Sequence, residues 1–258
     1  MVAASAAFGT ASGSMRTLDG ARPTGQGVVS LDIRKIATLL WLATAIVLSL
    51  GILREVVVHI IGTGTALKDL RHFALDAEHS LPAWYESFVM AAASGLLAIL
   101  AALSRYRDPH NRLQWMLLAV IFILMSIDEV VSFHEVSIAP LRNAFHLSGF
   151  LYFSWVIIAA PVLLALAIFF IPFLLRLPTR TAGRFVAAGG LFVAGAFGME
   201  FVGGYYASIG GLDYLPYKIA AVCEECLEIT GMTLFVTSLL KHLADTGPLL
   251  QVAMKDGA

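Results

Sequence analysis

Glu224, Glu225 and Glu228 sit together in the run Cys223-Glu224-Glu225-Cys226-Leu227-Glu228. On a helix, residues four apart share a face, so Glu224 and Glu228 lie one turn apart with Glu225 beside them. Carboxylates held this close cannot all remain ionised without compensation, and they bind protons or a cation. A second set, Asp128-Glu129 followed by His134-Glu135, adds an imidazole, which exchanges protons near neutral pH and is the commonest metal ligand. Glu200, Glu86 and His79 are further acids and imidazoles beside apolar stretches. The chemistry these types suggest is a divalent metal ion, Fe, Mn or Zn, held by Glu200, Glu224, Glu225, Glu228, Glu135, Glu86 and His79. His134, Asp128 and Glu129 would then act as acid, base or completing ligand.

Carboxylates on several helices joined by histidine resemble, in part, the sites of di-iron and di-manganese bundles. Those use one Glu from each of two helices and Glu-x-x-His from each of two others. The Glu-x-x-His element is missing from the acid-bearing segments here. Other catalytic signatures are also missing: there is no phosphate-binding glycine loop, no Gly-x-Ser-x-Gly elbow and no His-Glu-x-x-His. Cys223 and Cys226, the only cysteines, form a C-x-x-C that offers a thiol redox reading, although no second dithiol is present to relay electrons.

The elements that must carry these groups are set by composition. Of 258 residues, 59% are hydrophobic and 14% charged, with mean hydropathy +0.82, far from the roughly 25% charged of soluble domains. An all-α, polytopic membrane protein is expected. Six segments reach the roughly 20 residues that cross a bilayer. Ile36–Leu53, Ser87–Ser104 and Leu147–Leu175 carry no charge, whereas Leu113–Phe133, Phe185–Tyr206 and Ile219–Leu240 include the acids. Residues 1–33 are expected as a flexible cytoplasmic tail, 34–242 as a six-helix transmembrane domain and 243–258 as a C-terminal cytoplasmic tail. The N-terminal stretch lacks the apolar core of a signal peptide. Seventeen bases against eighteen acids, with no charged block, exclude nucleic acid as a partner and leave membrane lipids and a lipid-like substrate.

Lys and Arg assign the sides. Twelve fall in the tails and in the second and fourth loops, and five on the opposite side, which places both termini in the cytoplasm of a bacterial plasma membrane. In that orientation the acids of four segments reach one outer level. An ionised acid facing lipid costs about 2.5–3.5 kcal/mol even on the lenient scale, so they must face one another. Gly190, Ala194 and Gly198 predict close helix approach through a small-residue row. Trp41, Trp84, Trp115 and Trp155 and most tyrosines read as an aromatic belt. Leu70–Tyr85 reads as an amphipathic segment over the acids, and His59, His72, His110, His146 and His242 as surface residues. A metal-dependent membrane hydrolase or oxidoreductase acting on a lipid-like molecule is the leading expectation. Proton- or cation-coupled transport, a membrane redox protein or a non-catalytic accessory subunit are the alternatives.

Overall fold

The computed structural model describes residues 32–61 and 66–246. The expected tails lie outside these residues, except that Asp32 precedes and Ile33 opens the first helix, and residues 243–246 close the last. Among the described residues the structure is helical and has no strand: α1 Ile33–Ile61, α2 Leu81–Arg107, α3 Arg112–Val131, a short α4 Ile138–Phe145, α5 Val156–Arg176, α6 Thr179–Val193, α7 Glu200–Gly210 and α8 Leu215–Thr246. A π-helical stretch, Ala194–Met199, joins α6 to α7, so residues 179–210 form one continuous helical rod.

Among the described residues, five helices are long and apolar enough to cross a membrane: α1, α2, α3, α5 and the α6–α7 rod. Their outward faces carry large apolar side chains, such as Leu42 at 56% exposed, Leu124 at 58% and Leu164 at 62%. Water wets such a surface poorly and hydrocarbon does not. The 32-residue α8 is the exception, because its first half holds three glutamates.

That helix is the centre of the bundle. It packs against α6, α2, α1 and α7, and Ile229, Met232, Thr233 and Leu239 on it are almost fully buried. Glycine permits the α6 contact: a Cβ on Gly231 would stand 2.8 Å from the backbone N of Phe192, and one on Gly195 2.8 Å from the carbonyl of Glu224. Gly190 and Gly198 do not have this role. A Cβ on either meets nothing within 4 Å, so the expected Gly190, Ala194 and Gly198 row faces outward and the close approach uses the neighbouring phase of the same helix.

α2 and α3 form a tight hairpin, pinned where Ser87 and Ser126 hydroxyls each donate to the other's carbonyl at 2.7 and 2.8 Å. α1 joins through Thr44, whose hydroxyl lies 2.8 Å from Tyr85 OH and 2.7 Å from Thr233 Oγ1. α5 is the loosest member; it has α6 as its main neighbour and contains Pro161 and Pro172.

Four further expectations change. The span expected over Leu147–Leu175 begins as a helix only at Val156, because Ser148 is extended and Gly149 has φ 63°, which turns the chain before α5. His242 is not a surface residue; it is 7% exposed and stacks on Trp115 at 5.5 Å. Trp115 leaves the aromatic belt for the same reason, since it is buried at 2% exposure edge-on to Phe173. Leu70–Tyr85 is likewise no flat surface helix. Leu75 is buried against Gly51 of α1, while Pro82 and Trp84 already belong to α2, capped by Ser80.

Candidate functional site

A cavity of about 1200 Å³ opens between α3, α5, α6 and α8. Its two ends differ in chemistry. Asp128, Glu129, Glu200, Glu224, Glu225 and Glu228 line one end, with His134 and Tyr217. The remainder is hydrocarbon, supplied by residues such as Phe122, Leu163, Phe170, Phe192 and Phe235. The loose seating of α5 creates the space: it does not close onto α3, and their facing apolar side chains line the gap.

At the polar end α3 stops abruptly. Ser132 adopts the left-handed conformation, φ 57°, and its N–H bonds back to the Asp128 carbonyl at 2.6 Å. Glu135 therefore does not continue the α3 face that it shares with Asp128 on a straight helix; both His134 and Glu135 lie in a 3₁₀ turn. The reversal brings His134 back onto Asp128, which accepts the His134 backbone N–H at 3.1 Å on Oδ1 and faces its Nδ1 at 2.7 Å on Oδ2. One carboxylate thus fixes both the backbone and the ring. Burial alone would lower the His134 pKa, but the Asp128 bond and charge, aided by Glu135 and Glu200, outweigh it and hold the imidazole above its usual range. Ser132 Oγ is buried without a hydrogen-bond partner, so it forms no serine–histidine pair with His134.

Trp155, read from sequence as belt, instead donates its indole N–H to Glu200 Oε1 at 2.5 Å and lies 5.0 Å from the His134 ring. Glu200 also lies beside Glu224. Glu86 lies in the second turn of α2. It is 1% exposed, its Oε1 has no partner, and it lies within electrostatic reach of Glu129, Glu224 and Glu225. Asp76 and Glu78 border the same end, and Asp76 pairs with Lys218 at 2.6 Å, the one ion pair with a lysine at this end among the described residues. Glu135 also lines the cavity. Although exposed as a whole residue, partial burial of its carboxyl and the neighbouring Glu78 push it up to about 7.

Two expected participants stand apart. His79 is exposed and lines a separate small recess with Arg71 and Glu78 rather than the main cavity. Cys223 and Cys226 are free thiols, one exposed and one half-buried, and neither lines the cavity. Among the described residues, no group of three or more His, Cys, Asp or Glu is arranged to hold a metal ion. The acids surround a space instead of converging on a point, so the donor set as placed does not fit the expected Fe, Mn or Zn.

Lys218, Trp155 and Ser132 were missed as site residues. A tryptophan near a span end is ordinarily an interfacial anchor, and nothing local marks the chain reversal that aims this one inward. Ser132 carried the best signal, as a short polar residue where an apolar helix meets His-Glu.

Residues 36–243 match the family model described as Domain of unknown function (DUF8692), and the chain belongs to that family. No curated protein and no solved structure matches it.

Proposed function

We propose that the chain is an integral plasma-membrane enzyme of six spans, with both termini cytoplasmic, which draws a lipid-like amphiphile into the cavity and performs acid–base chemistry on its polar head. The observation that carries this reading is the two-ended cavity, with carboxylates and an imidazole at one end and hydrocarbon along the rest. α8 supplies the sixth span. At 32 residues it is about 48 Å long, beyond the roughly 30 Å of a hydrocarbon core, and Glu224, Glu225 and Glu228 all turn into the cavity. The excess of Lys and Arg in the tails and in the loops after α2 and α5 supports the in/in orientation.

His134 is the acid–base group. With Nδ1 held by Asp128, Nε2 is the nitrogen that takes a proton from a water or head-group hydroxyl and returns it to a leaving oxygen or nitrogen. Hydrolysis or group transfer on the head is the reaction class. A metal would polarise the reacting bond, but the placed donors do not gather one and no step here depends on it. Metal content of folded protein never exposed to chelator settles that version, about one equivalent retaining it and a trace removing it. Carboxylate-coupled transport has less support, because the far end of the cavity runs into Phe173, Phe185 and Phe235 and not into further acids.

The deciding experiment purifies the full chain in nanodiscs and identifies bound amphiphile by mass spectrometry, beside an Ala167→Trp variant that fills the apolar shaft. Stoichiometric amphiphile in the wild type, lost from the variant, is expected. Conversion of that amphiphile by wild type but not by His134→Gln is the second expected result. Equal lipid recovery from both proteins refutes the cavity reading.

A further inference from the structure

The amphiphile reading leaves the head group open, and the polar end restricts its chemistry. Glu129, Glu200, Glu224, Glu225 and Glu228 present acceptors to the cavity, whereas few donors face them: Lys218 is held by Asp76, His134 Nδ1 by Asp128 and the Trp155 N–H by Glu200, which leaves His134 Nε2 and the hydroxyls of Ser132 and Tyr217. Negative charge and acceptor capacity therefore exceed what the protein itself supplies.

Glu86 is an independent sign of the same deficit. It lies on α2 between Ala83 and Met90, three residues after one and four before the other, and both of these line the cavity. Buried just behind that wall, it keeps an oxygen without any partner. A point-like metal ion does not answer the deficit, because the carboxylates are spread around a volume and no three close on one centre. Aromatic rings complete the enclosure: Trp155 and Phe197 lie 5.3 Å apart, and Phe153 and Tyr217 6.0 Å apart. Such faces favour a cation.

Resting on the amphiphile reading, we propose that the cavity takes a single-chain amphiphilic amine, its ammonium among Glu129, Glu225 and Glu228 and its hydrocarbon chain along the shaft between α3, α5 and α6. An ammonium offers three N–H donors that meet acceptors about 2.8 Å from the nitrogen, a looser fit than the roughly 2.0–2.2 Å a bound transition metal requires. The volume of about 1200 Å³ exceeds the roughly 300–1,000 Å³ of ordinary small-molecule pockets, which leaves room for a long chain. Entry is sideways, through the gap beside α5.

The test is photo-crosslinking of a diazirine-bearing hexadecylamine to the full chain in nanodiscs, competed by unlabelled hexadecylamine, hexadecyl glycerol ether or hexadecyl phosphate. Labelling is expected on α3, α5 and α6. The amine should compete about tenfold better than the ether, a difference of about 1.4 kcal/mol, and the phosphate should be the poorest. Glu225→Gln and Glu228→Gln should narrow the gap between amine and ether. The wild-type ranking decides the proposal even if those variants fold badly. Equal competition by ether and amine overturns the cationic head while leaving the amphiphile reading intact. Protection by Mn²⁺ alone also overturns it, by making the cation inorganic. Labelling that no amphiphile competes, and that Ala167→Trp leaves unchanged, overturns both.

Discussion

The Asp128–His134 pair shows how one carboxylate can hold an imidazole through a backbone bond and a side-chain bond at once. Replacing Asp128 with Asn removes the charge that outweighs burial. The His134 imidazole pKa, read by NMR titration, should then fall from above to below the free value of about 6.5. Glu135 makes a stability prediction with the opposite sign from an ordinary salt-bridged acid. Its folded pKa, about 7, lies above the free value of 4.5, so the folded state binds the proton more tightly than the unfolded state does. Its contribution is full below about pH 4.5 and is lost as pH rises through about 7, with Glu78, Glu200 and His134 as the charges around it. Glu135→Gln should flatten that decline in thermal unfolding measured between pH 5 and 8. Trp155→Phe removes the donor from buried Glu200 and should cost roughly 1–3 kcal/mol of stability, whereas an aromatic with a merely interfacial role would cost little.

Among the elements, the contact between α6 and α8 determines where the acids of α8 point. Gly231 lies against backbone, which cannot move aside as a flexible side chain can. Gly231→Ala should therefore destabilise by roughly 1–3 kcal/mol, measured by unfolding in detergent. Gly190→Ala, facing open space, should gain up to about 1 kcal/mol from helix propensity alone. Had the small-residue row formed the interface, the two substitutions would rank the other way. The row was legible as a pattern, but its phase was not. Two glycine sets interleave on one helix, and only the partner's position distinguishes them. The ends of α3 and α5 illustrate the same limit: Ser132 and Gly149 take left-handed backbone in segments whose composition reads as continuous helix.

At the scale of the whole molecule, the proposed in/in six-span topology is tested by single cysteines in a background without Cys223 and Cys226. Asp213→Cys should label from the outer side of intact cells, and His110→Cys only after permeabilisation; the reverse pattern would invert the proposed site to the cytoplasmic face. Composition alone determined that this chain is helical and apolar. It also determined which segments carry acids, since apolar length and the cost of charge in hydrocarbon act at each residue independently of its partners. The expected meeting of α3, α8 and Glu200 at one end likewise needed only helix lengths and alternating direction. Tertiary structure decided the rest. It sank Glu86 behind the wall, left His79 outside, turned Trp155 inward, folded His134 onto Asp128 and spread the carboxylates around a space instead of a point. Those outcomes depend on chain reversals at single residues and on how far α5 stands from α3, and such distances are set by packing between segments remote in sequence.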